Sequence, residues 1–127
     1  MTPHKYTYPA RCTNVIDGDT IDVTLDLGLH LTSTQRVRLL GVNCPELHTA
    51  DPEVRTAAIN ALDYTRTTID EWQDNTTLKF PLLVTTTKTD AFGRWLADVE
   101  SAMFHTDTLS NELLTAGHAV PYTRKQV

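Results

Sequence analysis

The feature that most constrains the fold of this 127-residue chain is the run IDVTLDL at residues 21–27, where apolar and polar residues alternate without a break. Successive side chains of a β-strand point to opposite faces, so this run predicts a strand with one buried face. Residues 11–16 predict its hairpin partner. The two are joined through Asp17-Gly18-Asp19-Thr20, where we expect Gly18 to adopt the positive φ of a tight turn.

A third strand is predicted at residues 35–42, after a polar loop. In it Val37 and Leu39 face one way, and Arg36 and Arg38 face the other. The period then changes to that of an amphipathic helix. The apolar positions with helical spacing are Val54, Ala57, Ala58, Ala61, Leu62, Ile69 and Trp72, preceded by Asp51 as N-cap and Pro52 in the first turn.

Two further strands are predicted at residues 77–86 and 94–100, and a short helix at residues 109–116. Thr108 is the expected cap of that helix, and Gly117 is the expected stop. Threonine, which favours strands, occurs 22 times. Three strands, a helix, two strands and a helix predict a mainly β (α+β) fold, a five-stranded OB-fold Greek-key barrel with two helices, rather than a parallel α/β sheet.

Length and composition limit the possible classes. Residues 1–127 show no repeat or linker, so we expect one domain, with loose termini at residues 1–9 and 123–127. The first residues lack the apolar segment of a secretory signal, and Cys12 and Cys44 do not form a disulfide framework, so a cytosolic protein with free thiols is expected. A net charge of −5 excludes the class of proteins that hold nucleic acid by bulk positive charge alone.

Four short segments carry side chains suited to chemistry, and each has a simpler explanation as a turn or a solvated strand. They are the Asp17 and Asp19 turn, Arg38 beside Arg36, the segment Asn43-Cys44-Pro45-Glu46, and the turn at residues 90–94 that ends in Arg94. Together they supply oxygen ligands for a divalent cation, a carboxylate able to act as a base, and two guanidinium groups. In-line displacement at a phosphodiester needs such a set.

These residues also resemble a known family. VIDGDT at residues 15–20, VRLLGVNCPE at 37–46 and TDAFGR at 89–94 resemble, in order, the signature segments of the staphylococcal nuclease (thermonuclease) family. Residues 109–122 resemble a later segment of that family. The resemblance implies an OB-fold barrel with a calcium-dependent phosphodiesterase site. It also implies DNA or RNA as the substrate and a 3′-phosphate as the product. From the sequence itself we expect no membrane association and no obligate protein partner.

The resemblance also implies roles for individual residues. Asp19 would bind the calcium ion directly, Asn43 would occupy the position of a second carboxylate ligand, and the backbone carbonyl of Cys44 would be a third ligand. Glu46 would be the general base, acting on a metal-associated water. Asn43 stands where the best-known member has Asp, so one charge is lost and we expect a weaker metal site.

Arg38 and Arg94 would contact the scissile phosphate and stabilise the transition state, with Arg94 placed to assist the leaving oxygen. Tyr122 could stack on a base or contact phosphate, although surface tyrosines are common. Ala91 and Phe92 replace a Lys and a Tyr of the well-known enzyme. The phosphate contact made there by that enzyme is therefore not expected in the same form.

Some conspicuous residues are expected to be structural. His48 and His118 have no second ligand at metal spacing. Trp72 closes the helical stripe and Trp95 lies in a predicted strand, so both are expected in the core. The leading hypothesis is a metal-dependent nuclease. Its rival is a non-catalytic OB-type module that binds nucleic acid or protein.

Overall fold

The computed structural model describes residues 5–103 and 107–122. Seven strands and two helices follow each other as β1 (Tyr6–Asp17), β2 (Thr20–Gly28), β3 (Leu31–Leu39), β4 (Val42–Asn43), α1 (Pro52–Asp74), β5 (Leu82–Thr89), β6 (Trp95–Ser101), α2 (Leu109–Thr115) and β7 (Val120–Pro121). The five long strands form a closed barrel in the order β1-β2-β3-β6-β5, and the short strands β4 and β7 pair with each other. The predicted five-stranded barrel with two helices is confirmed.

The barrel mixes antiparallel and parallel pairing. All its pairs are antiparallel except β3 with β6, where Val37–Leu39 run parallel to Trp95–Ala97. Along β2 the apolar residues Ile21, Val23 and Leu25 are buried in the core, as the alternation predicts, whereas Leu27 at the end of the strand is exposed. On β3, Val37 and Leu39 also point inward. The intervening side chains, including the arginines of β3, therefore point away from the barrel interior.

Helix α1 packs against β1 and contributes Ala61, Ile69 and Trp72 to the core. Asp51 caps it by accepting hydrogen bonds from the backbone N–H groups of Glu53 (2.9 Å) and Val54 (3.5 Å), as expected. The buried face of the helix starts later than the predicted stripe, because Val54 and Ala57 are exposed. Its buried residues are Ala58, Ala61, Thr65, Ile69, Trp72 and Gln73.

Two polar side chains of α1 hold the helix against β1 and the turn after it. The Gln73 amide accepts from the Cys12 backbone N–H (2.7 Å) and donates to the Cys12 carbonyl (3.3 Å). The Thr65 hydroxyl donates to the Gly18 carbonyl at 2.7 Å. These contacts satisfy backbone groups that would otherwise be buried without partners. They also fix the position of the β1–β2 turn relative to the helix.

The shorter helix α2 forms as predicted. The Thr108 hydroxyl accepts from the backbone N–H of Asn111 at 3.3 Å, and Leu109 and Leu113 are fully buried. Gly117, with φ of 80°, ends the helical segment.

The strand ends differ from the predictions. Strand β1 begins at Tyr6 rather than at residue 11, because residues 6–10 pair with residues 82–86 of β5. Part of the segment predicted as a loose arm at residues 1–9 is thus a barrel strand. Residues 1–4 and 123–127, also predicted to be loose, lie outside the described residues. Strand β5 begins at Leu82, later than the predicted residue 77.

The prediction of a polar loop after β2 is also wrong. Strands β2 and β3 are joined by a tight turn at Leu29 and His30, whose φ angles are 55° and 63°. Gly28 before them also has a positive φ, of 81°, but leucine rarely adopts this conformation, so these residues do not predict a two-residue turn. Trp72 is buried as expected, but Trp95 is 37% exposed and does not belong to the core. No described helix is long and apolar enough to cross a membrane.

Candidate active site

The turn between β1 and β2 brings Asp19 to one end of the barrel. Gly18 does not adopt the positive φ expected from the sequence. A Cβ at this position would lie 2.8 Å from Cys44 Sγ and 2.9 Å from Ala61 Cβ, so glycine is needed for close packing and not for turn geometry. The turn therefore packs directly against α1 and the segment after β4.

Asp19 is almost buried and joins three parts of the chain. Its Oδ2 accepts a hydrogen bond from the backbone N–H of Cys44 at 2.9 Å and lies 3.5 Å from Arg38 Nη1. Its carbonyl accepts from the backbone N–H of Leu39 at 2.8 Å. The side chains of Asp19 and Arg38 are only 9% and 13% exposed. Their geometry is thus fixed by the fold rather than by solvent.

Arg38 organises the turn that leads from β3 to β4. Its Nη1 donates to the carbonyls of Val42 (3.0 Å) and Leu39 (3.3 Å), and its Nη2 donates to Asn43 Oδ1 (3.0 Å). A planar guanidinium can make these bonds at once, which a lysine cannot. Arg38 therefore lies between the Asp19 carboxylate and the Asn43 amide.

Tyr122 lies next to Arg38 at the edge of the site. Its backbone N–H donates to the carbonyl of Gly41 at 2.9 Å, and its ring lies 5.6 Å from the Arg38 guanidinium carbon. This distance is typical of a cation–π contact. The pairing of β4 with β7 holds this segment in place.

Arg94 is held by the turn between β5 and β6. Asp90 Oδ1 accepts from the backbone N–H groups of Phe92 (2.8 Å) and Arg94 (3.0 Å), and Asp90 Oδ2 accepts from Arg94 Nε (2.7 Å). Burial alone would raise the pKa of Asp90, but these hydrogen bonds and the guanidinium charge lower it below its ordinary value. The Phe92 ring lies 5.3 Å from the Arg94 guanidinium carbon. Arg94 is therefore positioned before any substrate arrives.

A cleft of about 480 Å³ contains every residue that the sequence singled out as functional. Its lining includes Asp19, Arg38, Asn43, Cys44, Glu46, Arg94 and Tyr122. Residues from five separate parts of the chain thus meet in one place. Neither His48 nor His118 is among the described residues that line it. His118 packs instead on the Tyr64 ring, with the ring centroids 4.8 Å apart.

The cleft also contains two carboxylates to which the family resemblance assigns no role, Asp17 and Asp90. Asp17 Oδ1 accepts from the Asp19 backbone N–H at 3.1 Å. Burial and the neighbouring Asp19 carboxylate raise the pKa of Asp17 to about 6. The i, i+2 spacing of the two aspartates was the only sequence signal for Asp17. The spacing of Asp90 four residues before Arg94 was the signal for Asp90.

The donor chemistry of the cleft suits a hard cation. Asp17 and Asp19 are adjacent carboxylates of one turn that line the cleft, and Asn43, whose side chain carries an amide oxygen, lines it too. Among residues 5–103 and 107–122, no group of three His, Cys, Asp or Glu side chains could hold a metal. An ion here would therefore depend on amide or backbone carbonyl oxygens in addition to the carboxylates, a donor set of low formal charge.

Both cysteines are free and buried. Burial, followed by the charge of Asp19, raises the pKa of the Cys44 thiol to about 12. Burial raises the pKa of Cys12 to about 11. Thiols with such pKa values are poor nucleophiles at neutral pH. The side chain of Cys44 therefore acts in packing, against Gly18.

The fold and cleft together define an OB-type barrel with an acidic turn and two held arginines at one end. Comparison with protein families gives a match to the family described as staphylococcal nuclease homologue, over residues 36–127. The match covers more than two thirds of the chain, which therefore belongs to the staphylococcal nuclease family. It includes Arg38, Arg94 and Tyr122 but begins after the Asp19 turn. A comparison with curated protein sequences gave no significant match.

Proposed function

We propose that this protein is a metal-dependent nuclease that hydrolyses phosphodiester bonds of DNA, RNA or both. The observation that carries the proposal is the single cleft in which Asp19, Glu46, Arg38 and Arg94 meet. Membership of the staphylococcal nuclease family supports a nucleic acid substrate. The net charge of −5 means that the substrate would be held by local arginines rather than by a general positive field.

The metal would be calcium or another divalent ion with a preference for oxygen ligands. Asp19, the Asn43 amide oxygen and the Cys44 backbone carbonyl would hold it, and Glu46 would reach it through a water. Asp17 lies beside Asp19 and would add negative charge to the site. When bound, such an ion supplies positive charge beside a phosphate and lowers the pKa of a water molecule.

Glu46 would act as the general base. It lies on the loop after β4, is exposed to solvent and lines the cleft, so a water could reach it. A carboxylate at this place can accept the proton of the water that attacks phosphorus. Pro45 restricts the backbone just before Glu46, which limits the movement of the loop.

Arg38 and Arg94 would bind the scissile phosphate from two sides. Charge on the non-bridging oxygens of the phosphate increases in the transition state, and pre-positioned guanidinium groups stabilise it. Arg38 already makes hydrogen bonds to two backbone carbonyls and to Asn43, and Arg94 is held by Asp90. Because both arginines are fixed in advance, little reorganisation would be needed on binding.

The test is an incubation of plasmid, single-stranded DNA and single-stranded RNA with the protein in calcium, without added metal, and in EDTA. We expect cleavage in calcium and none in EDTA. A protein that retards the substrates on a gel but leaves them intact under every condition would be a binding module. That result would overturn the proposal of a nuclease.

A further inference from the structure

A second cleft, of about 840 Å³, adjoins the candidate active site. One wall is the outer face of β2 and β3, where it includes Asp22 and Arg36. The other wall is the turn that carries Phe92 and Arg94. Glu46, Phe92 and Arg94 line both clefts, so the two are continuous. A ligand bound at Arg94 can therefore extend along β3.

Arg36 is the charged group of this second cleft that can bind an anion beyond Arg94. Its side chain is 52% exposed and forms an ion pair with Asp22 across the strands, with Nε to Oδ1 at 2.8 Å and Nη2 to Oδ2 at 3.2 Å. These two bonds use only part of the guanidinium's donors. The remaining donors are available to a phosphate, while Asp22 opposes its negative charge.

Phe92 lies at the junction of the two clefts. Its side chain is 83% exposed, which is unusual for a large apolar ring, and it stays next to the Arg94 guanidinium. An exposed aromatic ring beside a guanidinium group is a suitable stacking surface for a nucleobase. Phe92 and Arg94 line both clefts, whereas Arg36 lines the second cleft and not the first.

We propose that Arg36 binds a second phosphate of the substrate strand, one nucleotide beyond the scissile phosphate on the Arg94 side, with the intervening base over Phe92. The inference rests on the proposed nuclease function and assigns the groove to a single strand of nucleic acid. Continuity with the candidate active site and a second guanidinium group in the adjoining cleft favour this occupant. Asp22 is a negative element that limits the affinity of the subsite.

The test compares two substrates in calcium: a dinucleotide with a single phosphodiester bond, and a single-stranded octamer. On the octamer, Arg36→Ala should lower kcat/KM by about fivefold, mainly by raising KM. The slope of log(kcat/KM) against log[salt] should become less steep by about one unit. Asp22→Asn should raise kcat/KM on the octamer, because it removes a repulsive charge while Arg36 stays. Neither variant should change cleavage of the dinucleotide.

The two variants break the same ion pair. If that pair had only a structural role, both variants would therefore change kcat/KM on the octamer in the same direction. Arg66→Ala is the matched control, since Arg66 is also 52% exposed and ion-paired, to Asp63 at 3.9 Å, but lies on α1. The inference is overturned if Arg36→Ala equals Arg66→Ala on the octamer, or if both variants at the pair lower its cleavage. If the wild-type protein cleaves neither substrate, the proposed function fails as well.

Discussion

Asn43→Asp tests whether the Asn43 side chain faces the proposed metal ion. The change adds a full negative charge where Arg38 Nη2 now donates to the amide oxygen at 3.0 Å. Two unit charges ~4 Å apart attract by about 4 kcal/mol at an effective dielectric of about 20, and a divalent cation would feel about twice that. The new carboxylate should therefore tighten calcium binding.

Several contacts reduce that gain. Arg38 would bind the new carboxylate when no ion is present, and Asp19, already 3.5 Å from Arg38, would repel it. Each opposing interaction is again of the order of a few kcal/mol. A net gain of about 1–3 kcal/mol remains, which corresponds to about 5- to 150-fold in calcium affinity.

Calorimetric titration measures this affinity directly, and the calcium midpoint of cleavage should fall in parallel. Asn60→Asp is the control, because Asn60 is an exposed residue of α1 and the substitution adds the same charge away from the cleft. Equal calcium affinities for wild type, Asn43→Asp and Asn60→Asp would show that the Asn43 side chain does not face the metal ion. The family's metal site would then not carry over to this position.

Three further predictions concern the arginines, the turn and the thiols. Arg38→Lys and Arg94→Lys should each lower kcat by roughly 10²–10³-fold, since lysine keeps the charge but not the planar donors; rates near wild type would reduce either residue to a surface arginine. Gly18→Ala should lower the free energy of unfolding in urea by about 1–3 kcal/mol, because the added Cβ would lie 2.8 Å from Cys44 Sγ. The same substitution in a Cys44→Ala background should cost less. An unchanged urea midpoint for Gly18→Ala would contradict the packing argument. Burial raises the pKa values of Cys12 and Cys44 to about 11 and 12, so a thiol reagent at neutral pH should modify them only after unfolding, and rapid reaction of the native protein would contradict this.

Much of the barrel could be predicted because its strands alternate in the sequence. Ile21, Val23 and Leu25 have the period of a half-buried strand, and each is buried. The tight turn at Leu29 and His30 could not be predicted, because leucine rarely adopts positive φ and the turn depends on the pairing of β2 with β3. The start of β1 at Tyr6 depends likewise on its distant partner β5.

The candidate site, like the barrel, could be predicted only in part. The residues singled out in the signature segments do line one cleft, since the segments lie at strand ends that the barrel brings together. The sequence did not reveal that Gly18 serves packing rather than a turn, because this requires the position of α1. Nor did it reveal that Asp90 holds Arg94, as hydrogen bonds inside a turn depend on its geometry.

Single-turnover cleavage of a labelled single strand by wild type and Glu46→Gln, with binding measured on the same substrate, tests whether Glu46 is the general base of a nuclease. Glutamine keeps the size of the side chain but cannot act as a base. We predict that the rate in calcium falls by about 10²–10⁴-fold while affinity is retained. A Glu46→Gln variant that cleaves at the wild-type rate would contradict the account.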